Sequence, residues 1–380
     1  MTVSIAGIGL HRFGRTPEAS GLEQGAAAMR AALADAGVEW KDLQFVIGGS
    51  RDAGRVDGLA LMFGHNGGPM INVFNGCATG GSSLALAASL IETGQYEIGA
   101  VVGFDKHDPG AFSFDPSQYG LPDWYGKLGF AVTAQFFGLR IQRYMAEHGI
   151  GEGSLARVAA KAFRAGSLNE LAWRRTPIAE EEILKSTMVC SPLRKSMFCS
   201  PSEGGAALVL CSERIARRLS AKAVRLASVA VCGKQYGAFE IFQTSLPTQM
   251  LAPVTTRAAN AAFDKAGVDP RDVDIAQLQD TDSGAEIIHM AEAGLCAHGE
   301  QERLLAEGAT DMRGRLPINT DGGCLANGEP IGASGLRQVY EVCLQLRGHA
   351  GARQAGKPLR TGMTHVYGAP GISVVSILQT

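Results

Sequence analysis

Apolar and polar positions along this chain alternate with two periods, one near two residues and one near 3.6, and segments of the two kinds follow one another. The opening MTVSIAGIGLHRFG reads as a first buried strand. Leu22–Ala34 has helical spacing and is predicted to stop at Gly37, the residue type that takes a left-handed cap without steric cost. Leu43–Gly48 and Met70–Phe74 read as strands, and Ile98–Phe104 as a buried one. Asn75-Gly76-Cys77 reads as a tight turn into a helix over roughly Gly80–Thr93. That helix has no charge before Glu92, so it is expected to be buried on every side, in the middle of the molecule. A counterpart over Ile331–Leu346 carries Arg337 and Glu341 and is slightly more polar. Alternating buried strands and helices predict an α/β fold, layered around mostly parallel sheets.

The pattern occurs twice. AALADAGVEWKDLQFVIGGSRD at 31–52 aligns without gaps on AAFDKAGVDPRDVDIAQLQDTD at 261–282. INVFNGCATGGSSLALAASL at 71–90 aligns on INTDGGCLANGEPIGASGLR at 318–337, and GGAALVLCSE at 204–213 on PGISVVSILQT at 370–380. One α/β unit has been duplicated. The division that follows is an N-terminal half, 1–220, and a C-terminal half, 221–380. The first half is interrupted by an inserted cap over about 106–203, which has no counterpart in the second. A duplicated unit brings equivalent loops together at a pseudo-twofold axis, where one site draws residues from both halves.

Composition narrows the function. A net charge of −2 gives no nucleic-acid footprint. No apolar run is long enough to span a bilayer, and no basic stretch precedes the first apolar residues, so neither a membrane span nor a secretory signal is expected. The eight cysteines form no CxxC pair, which argues against a disulfide framework or a zinc ribbon and for a reduced, cytoplasmic setting. No metal is expected in this chain.

Cys77 is the leading chemical candidate. It sits at a strand-to-helix turn, where unpaired N–H groups and the helix dipole favour a thiolate and can hold an oxyanion. Its repeat partner, Cys324, is the rival, but the longer Asn327-Gly328-Glu329-Pro330 turn separates it from its helix. Each of the two also reads as a packing cysteine.

NTDGGCLANGEPIGASG at 319–335 closely resembles the C-terminal motif of thiolases. NGCATGG at 75–81 resembles the turn that holds their acyl-accepting cysteine, and SPSEGGAALVL at 200–210 resembles their S-D-G-A-A strand. Length and motif form place the resemblance in the branch of sterol-carrier-type thiolases and thiolase-like lipid-transfer proteins. It implies two similar halves in a five-layered αβαβα fold, with the post-cysteine helices in the central layer. It also implies chemistry on a coenzyme A thioester, with Cys77 as acyl acceptor, and a pocket covered by the insertion. In the family, a G-H-P histidine shapes an oxyanion hole and a second acid/base near the C-terminus handles the α-carbon proton.

The sequence departs from that set in three places. Glu329 replaces the G-H-P histidine. Gln279-Asp280-Thr281-Asp282 falls on the branch's H-D-C-F motif. Tyr367 stands near the usual C-terminal acid/base. Glu329 can donate to an oxyanion only when protonated, and acts as a base when ionised. Tyr367 can donate a hydrogen bond or serve as a weak acid. Gln279 can orient a carbonyl but cannot move a proton. Gly368, Asn327 and His365 are oxyanion or substrate-positioning candidates; His365 alternates with Tyr367 and shares its side of the strand. His107 is a further histidine candidate. Phe112, Trp124 and Tyr125, from an aromatic run that also holds Phe114 and Tyr119, either line the acyl pocket or form the insertion's own small core. Arg174, Arg175, Lys185, Arg194 and Lys195 either meet coenzyme phosphates or form a solvated face.

Three functions follow from this set. The first is a thiolase-like acyltransferase that makes or breaks a C–C bond through acylated Cys77. The second is a retro-aldolase without covalent catalysis, resembling thiolase-like steroid side-chain aldolases, which use tyrosines. The third is a non-catalytic acyl-CoA or lipid-binding subunit. The resemblance also implies a homodimer and a separate small partner that combines a zinc ribbon with an OB fold.

Overall fold

The computed structural model describes residues 2–110, 112–219, 223–236, 251–368 and 371–380. The predicted junction at 220–221, residues 369–370 of the C-terminal loop and the side chain of Tyr119 lie outside them.

The strands are β1 (Val3–Leu10), β2 (Val46–Gly49), β3 (Met70–Asn72), β4 (Ile98–Lys106), β5 (Met188–Cys190), β6 (Leu193–Arg194), β7 (Glu203–Ser212), β8 (Val224–Gly233), β9 (Ile275–Leu278), β10 (Thr361–Gly368) and β11 (Ile372–Gln379). The principal helices are α1 (Gly21–Ala36), α2 (Thr79–Glu92), α3 (Thr133–His148), α4 (Glu152–Ser167), α5 (Val254–Ala266), α6 (Ser283–Glu292), α7 (Gly323–Asn327) and α8 (Ser334–Arg347). α1 starts in a capping box between Ser20 and Glu23 and ends at Gly37 with φ 68°, as its sequence predicts.

Nine strands form one sheet in the order β3-β2-β4-β7-β1-β8-β11-β10-β9. The order reads the same from either end once the repeats are matched. β1, β2, β4 and β7 correspond to β8, β9, β10 and β11, and an isolated parallel bridge between Ala276 and Ile318 stands where β2 pairs β3. The halves join where Val3–Ile5 of β1 pairs antiparallel with Val224–Leu226 of β8. The expectation of mostly parallel sheets is corrected. β2 is parallel to β3 and β4, and β9 to β10, but β4–β7, β7–β1, β1–β8, β8–β11 and β10–β11 are antiparallel. Most of these strands, β1, β2, β4, β7, β9, β10 and β11, are buried on both faces, and such a run does not reveal its neighbour's direction.

The layers follow from the cores. α1 packs on the outer face of the first half's strands, through Met29, Leu33, Val102 and Val209. α5 covers the outer face of the second half's strands, through Phe263, Val375 and Ile377. Between the inner faces lies one core that combines Leu84 and Ile91 of α2, Leu336 and Val342 of α8, Val101 and Leu208 of the first half, and Val366 and Val374 of the second. This gives the αβαβα order. The two central helices approach at glycines: a Cβ on Gly80 would lie 2.9 Å from Leu336, and one on Gly335 would lie 3.0 Å from the Gly81 nitrogen.

The central pair corrects a second expectation. The apolar α2 keeps a stripe in solvent, with Leu86 36% exposed. The more polar α8 is the more deeply buried, with Arg337, Gln338, Glu341 and Gln345 each at 1% exposure or less. Burial of the charged groups is tolerated because they are partnered: Arg337 pairs with Asp321, and Glu341 with Arg353, Thr320 and Gln345, whereas the amide of Gln338 is buried without a partner among the described residues.

α3, α4 and the β5–β6 hairpin lie between β4 and β7. Their core, with Ile141, Phe163, Leu193 and Met197, also contains Ile287 and Ile288 of α6 and Leu325 of α7. The inserted segment therefore rests on the second half, and the buried Lys161–Glu286 ion pair ties the two together.

Candidate active site

The turn before α2 is held by its own side chains. Thr79 Oγ1 accepts from the Asn75 N–H at 2.9 Å and donates to the Gly76 carbonyl, and Asn75 Nδ2 donates to Ser82 Oγ. Gly76 takes φ 55°, a conformation that L side chains adopt at a cost. The end of β10 presses against this turn: a Cβ on Gly368 would come 2.2 Å from the Asn75 carbonyl oxygen and 2.6 Å from the Ala78 nitrogen. Glycine at 368 is thus a condition of the two halves meeting at Cys77.

Cys77 and Glu329 are together. The Cys77 thiol lies close enough to the Glu329 carboxylate and the Gln279 amide for both to act on its proton. Glu329 is fully buried. Its Oε1 accepts from Gln279 Nε2, and its Oε2 accepts from the thiol of Cys199 at 3.6 Å. Gln279 Oε1 accepts from the Tyr367 N–H at 2.6 Å, which fixes the amide's orientation and turns its NH₂ toward Glu329. The amide of Gln279 is spent on the protein, so it is not the carbonyl-orienting group that its position suggests.

The electrostatics correct the expected thiolate. Burial first, and then the negative charge of Glu329, push the Cys77 thiol well above its ordinary value of 9.0. Helix dipole and turn N–H groups do not offset a desolvated site that already holds an anion. Burial also raises Glu329 above its ordinary 4.5, while its thiol partners pull the other way. Both oxygens of Glu329 act as acceptors, which is the arrangement of a base.

Tyr367 lies beside this group. Burial pushes its phenol up to about 12, and the Arg140 guanidinium sits 5.9 Å from its ring centre. His365 is fully buried, Thr255 Oγ1 is 3.2 Å from its Nε2, and burial lowers it to about 3. Its ring centre is 4.4 Å from that of His289, which in turn is 6.3 Å from Tyr367. His289 donates through Nδ1 to the Gln279 carbonyl, so its Nε2 faces Arg140 as an acceptor. Both histidines are held neutral, and neither reaches Glu329. His107 is neutral as well, lowered to about 4 by burial, and its Nε2 accepts from the Ile331 N–H. It steadies the loop that carries Glu329.

Several candidates fall elsewhere. Asn327 donates to the Asp321 and Gly323 carbonyls and is 1% exposed, so it shapes its own turn and is not placed to position substrate. Cys324 is buried with its N–H on Asp280 and the Arg337 guanidinium near its sulfur. Tyr125 packs with Phe114 and Phe130, the small-core alternative, and a largely exposed Trp124 lies against its ring. Of the three aromatic candidates, only Phe112 lines the cavity of about 240 Å³ under the insertion, with Phe137, Val189, Phe198, Cys199 and Thr281. Arg174 and Lys195 also line it. Arg174 is occupied by Phe198, Leu325 and Ser200.

Cys199 and His289 are the residues that the sequence reading missed. A signal for Cys199 existed, because it stands shortly before β7 as Tyr367 stands shortly before β11. Nothing in its local pattern distinguishes His289 from a packing histidine on α6.

Comparison with known proteins agrees with this architecture. Residues 240–380 match the thiolase C-terminal domain-like family. The chain is 31% identical to sterol carrier protein 2 of Gallus gallus, over 99% of this chain and 71% of that protein. It is 30% identical to the benzoylsuccinyl-CoA thiolase subunit BbsB of Thauera aromatica, over 96% and 94%. Among solved structures, the Ltp2-ChsH2(DUF35) aldolase superposes with a TM-score of 0.88 at 26% identity, covering 100% of this chain and 98% of that one. A duplicated αβαβα fold with a cysteine at the mouth of a central helix defines a thiolase-like protein. The chain belongs to the thiolase superfamily, in its sterol-carrier-type branch.

Proposed function

We propose that this protein is an acyltransferase of thiolase type. Cys77 attacks a carbonyl of an acyl-CoA while Glu329 takes the thiol proton, and a C–C bond next to the thioester is made or broken. The observation that carries the reading is the fully buried Glu329 carboxylate placed close enough to the Cys77 thiol to act on its proton. At neutral pH the thiol is protonated, so its proton must leave as sulfur attacks, and the one acceptor in contact is Glu329. The Cys77 N–H, at the mouth of α2, is assigned to the oxyanion. Incubation with acetyl-CoA is expected to add one acetyl group to the intact mass, mapped to Cys77 and missing in Cys77→Ala. An unmodified wild-type protein would sink the reading.

A second reading rests on Tyr367 and on the likeness to the Ltp2-ChsH2 aldolase. Here Tyr367, beside Arg140, performs retro-aldol proton transfer and Cys77 is a bystander; full turnover by Cys77→Ala would establish it.

The assembly belongs to the same proposal. β3 is the outermost strand and pairs only with β2 among the described strands, Phe74 beside it is 54% exposed, and α2 shows its Leu86 stripe. Free strand edges and apolar stripes are usually covered. A second copy is assigned to this face. Phe74→Glu combined with Leu86→Glu is expected to halve the mass seen by light scattering, whereas a wild-type monomer would refute the assignment. The relative BbsB is named as a subunit and the aldolase structure joins two proteins. These names support a separate partner subunit; that it combines a zinc ribbon with an OB fold is what the family resemblance implies.

A further inference from the structure

We propose that Cys199 is the second catalytic cysteine, the group that gives the α-carbon its proton, and that Glu329 is shared between it and Cys77. The inference deepens the acyltransferase reading and rests on it. Segment 198–201 runs between the two loops that carry the site: Phe198 bridges Asp282, the Cys199 N–H donates to the Thr281 carbonyl, and Pro201 bridges Glu329. Cys199 therefore stands beside Thr281, the position at which the H-D-C-F motif carries its own cysteine. The thiol lost at 281 is replaced, on the neighbouring strand segment, by one at 199.

Three features give this thiol a task. It lines the cavity under the insertion, next to Phe112, Phe137 and Phe198, so it meets whatever occupies that space. It donates to Glu329 Oε2 at 3.6 Å. The same carboxylate also acts on the Cys77 thiol, so two thiols share one buried carboxylate and mark out a proton path. Burial and the charge of Glu329 keep Cys199 protonated, which suits an acid.

The path closes the proton balance of cleavage of a 3-oxoacyl-CoA. Cys77 sulfur bonds to C3 as its proton passes to Glu329. The C2–C3 bond breaks, and its electron pair remains on C2 as the thioester enolate. Cys199 gives its proton to C2, which completes the shorter acyl-CoA, and takes back the proton held by Glu329. The products are acyl-Cys77 and the shortened acyl-CoA; the hydrogen on C2 is the one Cys199 began with, and the proton of Cys77 ends on Cys199.

The test compares wild type, Cys199→Ala and Cys199→Ser with two probes. Acetylation of Cys77 by acetyl-CoA exchanges one thioester for another and needs no α-proton, so all three proteins are expected to form the adduct. Cleavage of acetoacetyl-CoA, and deuterium uptake from D₂O at C2 of the acetyl-CoA product pool, need the α-proton donor. Both are expected to fall on the order of 10²-fold or more in each variant. A merely structural Cys199 would lower both probes together and would be rescued by serine. Cleavage by Cys199→Ala within about threefold of wild type, or a wild type that is acetylated without cleaving acetoacetyl-CoA, would overturn the assignment. Loss of the wild-type adduct itself would instead remove the acyltransferase reading.

Discussion

Glu329→Gln is expected to slow acetylation of Cys77 by on the order of 10²–10⁴-fold, the range that a positioned general base supplies. The replacement keeps the shape of the side chain and the backbone contact to Ser200, so the fold is expected to survive. A second readout moves the opposite way. The carboxylate is the charge that helps hold Cys77 protonated, so its removal lowers the thiol's pKa. Iodoacetamide at mildly alkaline pH should therefore alkylate Cys77 faster in Glu329→Gln than in wild type, while acyl transfer becomes slower. The pH profile follows from the same group. Glu329 is raised above 4.5 by burial, so wild-type acylation should fall as pH drops through a value higher than that, because the protonated acid no longer accepts the thiol proton. The variant should lack this acid limb. An unchanged acylation rate in Glu329→Gln would remove Glu329 from the chemistry.

Much of this arrangement could be read from the chain, and the rest failed for identifiable reasons. The repeat placed Cys77 and the 319–335 turn at one axis, because gapless matches on both sides of each loop fix where the loops meet. Strand direction was not legible, because strands buried on both faces look alike whichever way their neighbours run. The central helices were misjudged because hydrophobicity alone was taken to measure burial. Arg337 and Glu341 go inside α8's environment because their partners lie elsewhere in the sequence, at Asp321, Thr320 and Arg353. The thiolate at Cys77 was expected from local turn geometry; burial first, and then the charge of a residue more than two hundred positions away, reversed it. Cys199 was hidden in the same way. Its neighbours in sequence are an aromatic and polar segment of the insertion, and its neighbours in space are Thr281 and Glu329.

The site thus rests on long-range polar contacts more than on local pattern, and the largest of these is expected to govern stability. Arg337 is fully buried and pairs with Asp321, with Gln277 Oε1 at 3.4 Å and the Cys324 sulfur at 3.8 Å. Asp321 accepts from the Gly323 N–H, and its carbonyl accepts from the amides of Asn169 and Asn327. The pair therefore anchors the loop and short helix that lead to Glu329. Arg337→Met would strand the Asp321 carboxylate in the core, and losing one partner of a buried ion pair costs about 3–5 kcal/mol. The double replacement Arg337→Met with Asp321→Asn removes both members of the pair and is expected to regain part of that loss. Urea unfolding midpoints at constant slope are the measurement. A single Arg337→Met change that shifts the midpoint no more than an exposed-site control would show that the guanidinium is dispensable. If the double variant proved as unstable as the single one, packing around α8 and not the uncompensated carboxylate would be the source of the cost.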